Sequence, residues 1–422
     1  MNIRIKDTII YTPDGNVTGD LCISGNRIAS VGSVPDGMEF DEVIDGHNKM
    51  VVPGLINTHT HAYMSVFRNI ADDLTFSDWL FGAIMPKEDR LTQEDEDAGA
   101  MLSCMEMIKS GTVAFMDMHI CPGASARAAI KLGMRGVMTR GLTGQDRHDE
   151  GGLRRIREHL GECEEFAGSE LIGFKFGPHA IYTCGEDYLR YLMELAREHG
   201  QGFHIHLAES LMESENCMKE HGMSPVEYLD SLGFFEIPTC AAHCVQLSEH
   251  DMDIFAERGV SVLHNPRSNL KLANGIAPVA RLLLKGVNVS LGTDSQASSN
   301  DLDMFTEMGF AALLQKGINH DPVLCSAEEV VRMATVNGAK ALGIDSGEIK
   351  AGKLADVVMI DLDHERFTPR NNLRSALVYS SSGTRADTVI INGEIVLRGG
   401  HLTRGDEEEI RFNAAKAAEK FA

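Results

Sequence analysis

Residues 51–68 read VVPGLINTHTHAYMSVFR, and the reading of this stretch decides the fold. An apolar run (Val51, Val52, Leu55, Ile56) leads into two histidines one residue apart, His59 and His61. Side chains alternate between the two faces of an extended strand, so both imidazoles point one way while Thr58 and Thr60 point the other. Two imidazoles on one face at the end of a buried strand can hold one divalent metal from one side. Ordinary strand histidines also fit HxH, so the weight falls on the rest of the chain.

Outward from this stretch the texture alternates between apolar strand and amphipathic helix. Candidate strands are 51–57, 112–116, 136–140, 172–176, 202–207, 239–243, 260–264 and 287–291, with helical stretches such as 94–109, 187–199 and 252–257 between them. Eight β–α units predict an α/β fold, a (β/α)8 TIM barrel over 53–344, with catalytic groups at the C-terminal ends of its strands. Both ends of the chain read differently. Residues 1–52 and 345–404 are short strands with turn chemistry between them (PDG, SGN, INGE), which predicts one small composite β-sandwich domain made from both segments. Residues 405–422, GDEEEIRFNAAKAAEKFA, read as a charged terminal helix.

Composition narrows the function. The chain has 422 residues, 43% hydrophobic and 24% charged, ordinary values for a globular enzyme. A formal net charge of -23 argues against nucleic acid or an anionic membrane as partner. Nine scattered cysteines without a CxxC pair predict reduced thiols and a cytoplasmic location. Cys240 and Cys244 flank a histidine in CAAHC, where small buried strand residues are the reading preferred over a zinc knuckle. The first residues, MNIRIKDTII, alternate and carry charge, which fits a strand and not a signal peptide, and no apolar run is long enough to span a membrane. Nothing in the composition excludes a homo-oligomer.

The predicted strand ends supply more polar groups. GFHIHLAE places His206 at the end of the fifth strand and Glu209 three residues on; His204, one layer deeper, reads as a supporting group. His243 ends the sixth strand, His264 the seventh, and Asp294 follows Gly292 after the eighth. Three imidazoles and a carboxylate (His59, His61, His206, Asp294) suit one zinc or ferrous ion and leave a place for water. A metal lowers that water's pKa toward ~7, and the nearby acid Glu209 can carry a proton. This predicts hydrolysis at an electrophilic carbon without a covalent intermediate. There is no GxSxG elbow, P-loop or GxGxxG to support the alternatives. The glycine-rich stretch 141–152 reads as an active-site loop. Trp79, the single tryptophan, lies on the same loop as Glu88 and could stack on a ring or anchor the loop.

PGLINTHTH, HIHLAE, AAHC, HNPRSNLKLANGIAP, LGTDSQASSN and GKLADVVMIDLD resemble the amidohydrolase superfamily in its aminohydrolase branch. More narrowly, FRNIADDLTFSDWLFGAIMPKEDRLT, EMIKSGTVAFMDM and FGPHAIYTC resemble the 5'-methylthioadenosine/S-adenosylhomocysteine deaminases. The resemblance implies a barrel with a composite β domain, a mononuclear metal, and deamination of an adenine nucleoside, a small-molecule purine substrate. It implies His59, His61, His206 and Asp294 as metal ligands, Glu209 as proton shuttle, His243 as the histidine that orients the attacking water, and Asp294 as the acceptor of that water's proton. It also implies Glu88 on the ribose hydroxyls, His179 on the nucleoside, Arg140 and Arg154 on an amino-acid carboxylate tail, and Ser298 near the site. His119 stands where an aromatic residue is usual in that family. Deaminases of guanine, 8-oxoguanine or triazines share the metal motifs, and a chlorotriazine hydrolase would keep the metal without needing Glu88. An inactive scaffold would be expected to lack a ligand or Glu209, and neither is missing.

Overall fold

The computed structural model describes residues 1–421. The N-terminal segment forms β1 (Asn2–Thr12), β2 (Gly15–Ser24), β3 (Arg27–Val31), β4 (Glu42–Asp45) and β5 (Lys49–Pro53). These strands hydrogen-bond with four from the far end of the chain into one nine-stranded sheet. The seam is antiparallel, Val52 opposite Val358. Ile3, Ile5, Leu21, Val51, Val357 and Ile390 give this sheet a small apolar core drawn from both segments.

The stretch expected as one strand over 51–57 is in fact two. β5 ends at Pro53 in the small sheet, and β6 (Leu55–Thr60) begins the barrel. Pro53 has no N–H to continue the ladder. Gly54 lies against Val113, where a Cβ would fall 2.3 Å from the valine methyls, so the chain changes sheets at a point with no room for a side chain.

The barrel continues with β7 (Thr112–His119), β8 (Arg135–Leu142), β9 (Ile172–Phe174), β10 (Gly177–Pro178), β11 (Phe203–Leu207), β12 (Thr239–His243), β13 (Ser261–His264) and β14 (Asn288–Leu291). Neighbouring strands run parallel. The expected fourth strand is split into β9 and β10. β6, β7 and β8 are buried along their whole length, as strands covered on both faces must be. His204 N donates to Phe176 O at 2.9 Å and joins the two halves; Asp294 N donates to His59 O at 3.0 Å on the far side, where strand eight meets strand one. Helices fall close to expectation: Gln93–Lys109, Glu186–His199 and Glu249–Arg258.

The C-terminal strands are β15 (Val357–Asp361), β16 (Thr388–Ile391), β17 (Glu394–Arg398) and β18 (His401–Leu402), followed by the terminal helix Glu407–Ala418. The last residue of the helix expected over 405–422 lies outside the described residues. No described helix is long and apolar enough to cross a membrane. Cys240 and Cys244 are buried, their thiols on the carbonyls of Ala341 and Ala241.

Candidate active site

The C-terminal strand ends bring His59, His61, His206 and Asp294 together, and their hydrogen bonds fix which nitrogen of each ring is free. His61 Nδ1 lies 2.8 Å from the carbonyl of Met118, and His206 Nδ1 lies 2.9 Å from that of His179. A carbonyl can only accept, so both Nδ1 atoms donate and both Nε2 atoms keep their lone pairs. Those two Nε2 atoms face each other at 3.3 Å.

His59 reaches the same state through a relay. Thr139 donates its hydroxyl proton to the carbonyl of Asp117 (2.8 Å), so its oxygen must accept from His204 Nδ1 (2.9 Å). His204 Nε2 therefore accepts from His59 Nδ1 (2.8 Å), and His59 Nε2 is left fully buried with no partner. Asp294 Oδ1 lies 3.6 Å from His59 Nε2 and 3.5 Å from His61 Nε2. Three lone pairs and a carboxylate oxygen converging in a buried space repel one another unless a cation sits among them. His59 and His206 are held neutral by burial, which drives both well below the ordinary histidine pKa. The residues therefore fit a divalent metal. His243 is close enough to form a second ligating group with His59 and His206.

One stretch, 264–278, orients three of the surrounding groups. Ser268 donates to Asp294 Oδ2 (2.6 Å), Asn269 Oδ1 accepts from His243 Nδ1 (2.8 Å), and Asn274 donates to Glu209 Oε1 (3.0 Å). Asp294 and His243 both have positive φ, 61° and 72°, a conformation that L residues keep only where their surroundings impose it. Gly292 allows the close approach of strand eight, because a Cβ there would lie 2.8 Å from His59 Cβ. Burial raises the Glu209 pKa above the usual carboxylate value. Burial opposes protonation of His243, but Glu209, Asp294 and the bond to Asn269 carry its pKa above the ordinary value.

Above these groups lies a cavity of about 330 Å³. Glu88, Trp79, His179, Arg140 and Arg154 all line it, with Glu209, His243 and Asp294 at its floor. Tyr63 donates its hydroxyl to Glu88 Oε1, which leaves Oε2 free. Trp79 both lines the cavity and anchors its segment, its indole N–H 3.3 Å from the carbonyl of Ala297. His179 Nδ1 donates to Thr183 Oγ1 (3.0 Å), whose own proton goes to the carbonyl of Ala180, so His179 Nε2 is an acceptor. Burial lowers the His179 pKa to about 4.

Ser298 and Arg140 are engaged by protein groups. Ser298 is fully buried behind Asp294, donating to its Oδ2 at 2.8 Å, and does not line the cavity. Arg140 is committed by Nε and Nη2 to Glu158 Oε2 (3.0 and 2.9 Å) and by Nη1 to two carbonyls. Arg154 is largely exposed, 3.5 Å from Glu158 Oε1, and Arg155 beside it donates to the carbonyl of Thr143. His119 is buried against Glu162, and His264 is buried with both ring nitrogens unpartnered.

Comparison with known proteins gives the family. Residues 50–396 match the amidohydrolase family. The chain is 44% identical to a 5-methylthioadenosine/S-adenosylhomocysteine deaminase of Thermoanaerobacter pseudethanolicus, covering 100% of this chain and 99% of that one. It is 46% identical to a 5'-deoxyadenosine deaminase of Methanothermobacter thermautotrophicus, covering 99% and 98%. Among solved structures, an adenosine deaminase from Xanthomonas campestris with bound zinc superposes with a TM-score of 0.94 at 29% identity, covering 99% and 98%. On a match that runs from the small sheet through the whole barrel, the chain belongs to the amidohydrolase family.

Proposed function

We propose that this protein is a zinc-dependent aminohydrolase that removes the C6 amine of 5'-substituted adenosines, S-adenosylhomocysteine and 5'-methylthioadenosine among them, to give the inosine analogue and ammonia. One observation carries the reading: the converging lone pairs of His59, His61 and His206, with Asp294 Oδ1, lie at the floor of a cavity that also holds Glu209, His243 and Glu88. The names of the two curated relatives support the 5'-substituted adenosine class, and the zinc of the Xanthomonas structure supports the metal.

A zinc ion held by His59, His61, His206 and Asp294 supplies Lewis-acid activation of a water molecule at neutral pH. Asp294, its Oδ2 held by Ser268 and Ser298, keeps Oδ1 for the cation and for the water's proton. His243, fixed through Asn269, orients that water. Glu209, with its carboxyl pKa raised by burial, moves a proton to the ring nitrogen and the departing amine. Glu88 accepts from the ribose hydroxyls through its free oxygen, and His179 offers Nε2 to the nucleoside. Arg154, which lines the cavity and lies 3.5 Å from Glu158 through Nε, meets a carboxylate tail, whereas Arg140 acts through Glu158. One ion per chain suffices: Lys175, the strand-four lysine that would bridge a second if carbamylated, has its Nζ beside Gly202 at the opposite end of β11 from His206. In this reading the catalytic barrel expected over 53–344 begins at Leu55, Pro53 belongs with the composite β domain of 1–52 and 345–404, and the terminal helix is Glu407–Ala418.

Ammonia release from the zinc-loaded protein tests the proposal across S-adenosylhomocysteine, 5'-methylthioadenosine, 5'-deoxyadenosine, adenosine, adenine, guanine and 8-oxoguanine, with chloride release read for a chlorotriazine. Turnover should concentrate on the 5'-substituted adenosines. Preference for a free base or for the triazine overturns it.

A further inference from the structure

The wall that carries Glu88 has little of its own to hold it. It consists of the π-helical turn Asp78–Ile84 and the single turn Met85–Glu88, and Phe81 and Met85 are exposed on it. Its fixed side chains, Trp79 and Ile84, belong to a separate apolar cluster with Tyr63, Phe67, Ala417 and Phe421. The last two come from the opposite end of the chain. Phe421 is buried edge-on against Phe67, with ring centroids 5.1 Å apart. The cations flanking Glu88 turn toward the same place and leave its carboxylate alone. Lys87 Nζ donates to the carbonyl of Phe421 at 3.2 Å, and Arg90 Nη2 donates to that of Lys420 at 2.7 Å. The Arg90 guanidinium also lies over the Phe421 ring, 5.5 Å from its centroid. Lys420 is tied in turn to Asp95 on the next helix.

We propose that residues 417–421 are a positioning element of the substrate wall, a clasp that seats Glu88 for the ribose from outside while Tyr63 orients it from within. The proposal rests on the nucleoside reading above. Glu88 would meet the sugar and not the reacting carbon, so loosening its seat weakens ground state and transition state alike and appears in KM with kcat retained.

The test uses Phe421→Ala and, because that core change can impair folding, Arg90→Met at an exposed position, both in the full-length zinc-loaded protein. KM for adenosine should rise about 10-fold, the size of one charge-assisted hydrogen bond, with kcat within about twofold and zinc content unchanged. KM for 2',3'-dideoxyadenosine, which has no vicinal hydroxyls, should not move. Amide exchange in residues 85–91 should quicken in both variants. An unchanged KM for adenosine, or equal losses on both substrates, overturns the proposal. If the parent deaminates no nucleoside, the reading of the function fails instead, and exchange in 85–91 alone decides whether the clasp exists.

Discussion

Replacing His204 by phenylalanine tests the relay beneath the metal site. The substitution keeps a planar ring in the barrel core but removes the acceptor for His59 Nδ1–H, 2.8 Å away. His59 is fully buried, so no water can take that acceptor's place. The ring must then either leave a buried N–H unpaired, at about 1–3 kcal/mol, or move its proton to Nε2, the nitrogen that faces Asp294. Either route taxes the metal-competent tautomer, and at 1.4 kcal/mol per decade the cost corresponds to roughly 5–150-fold. That range brackets the ~10–100-fold loss typical when a ligand's outer partner is removed. The zinc dissociation constant, measured by competition with a chromophoric chelator, should therefore weaken by one to two decades on the scale just given. His204→Gln, which restores an acceptor oxygen, should recover much of the loss. A folded phenylalanine variant that binds zinc as tightly as the parent would refute the relay.

Glu209→Gln should retain zinc and fold yet lose turnover by ~10²–10⁴-fold, read by steady-state ammonia release beside metal analysis; near-normal rates would remove its proton role. Arg154→Met should raise KM for S-adenosylhomocysteine about 10-fold while sparing 5'-methylthioadenosine, which has no carboxylate; an equal loss on both would make it a loop anchor. Glu96 and Glu162 are buried, and burial raises each carboxyl to about 8 from an ordinary 4.5. Between those values the folded state holds a proton that the unfolded state has lost, so both groups erode stability as pH rises from about 4.5 to 8. Glu96→Gln should thus raise Tm more at pH 8.5 than at pH 5, and a pH-independent gain would show that the effect is only packing.

What could be read from the sequence follows from period and from turn chemistry. His59 and His61 were legible because strand alternation puts both on one face, and His206, His243 and Asp294 because each closes an apolar run. His204 was legible as a supporting group for the same reason, one layer down. Ser268, Asn269 and Asn274 were not legible as orienting groups. They lie on a short helix and turn after β13, where no periodicity marks which amide meets which acid. The partner of Arg140 was hidden, because Glu158 reaches it from the following helix, eighteen residues on. The break at Gly54 was hidden too, since an apolar run looks the same whether it serves one sheet or two. The contacts of Phe421 with Lys87 and Phe67 cross most of the chain and leave no local mark.

The change of sheet at Gly54 bears on folding cooperativity. A single glycine separates Pro53, paired with Val357 in the small sheet, from Leu55, the first residue of the strand that carries His59 and His61. No linker lies between them to absorb independent motion, so local unfolding of either side must pull on the other. Cation binding at His59 and His61 stabilises only states in which β6 is formed. Its protection should therefore spread through β5 into the sheet built from both chain ends, which makes that sheet and the barrel a single unit of unfolding and not two separable parts.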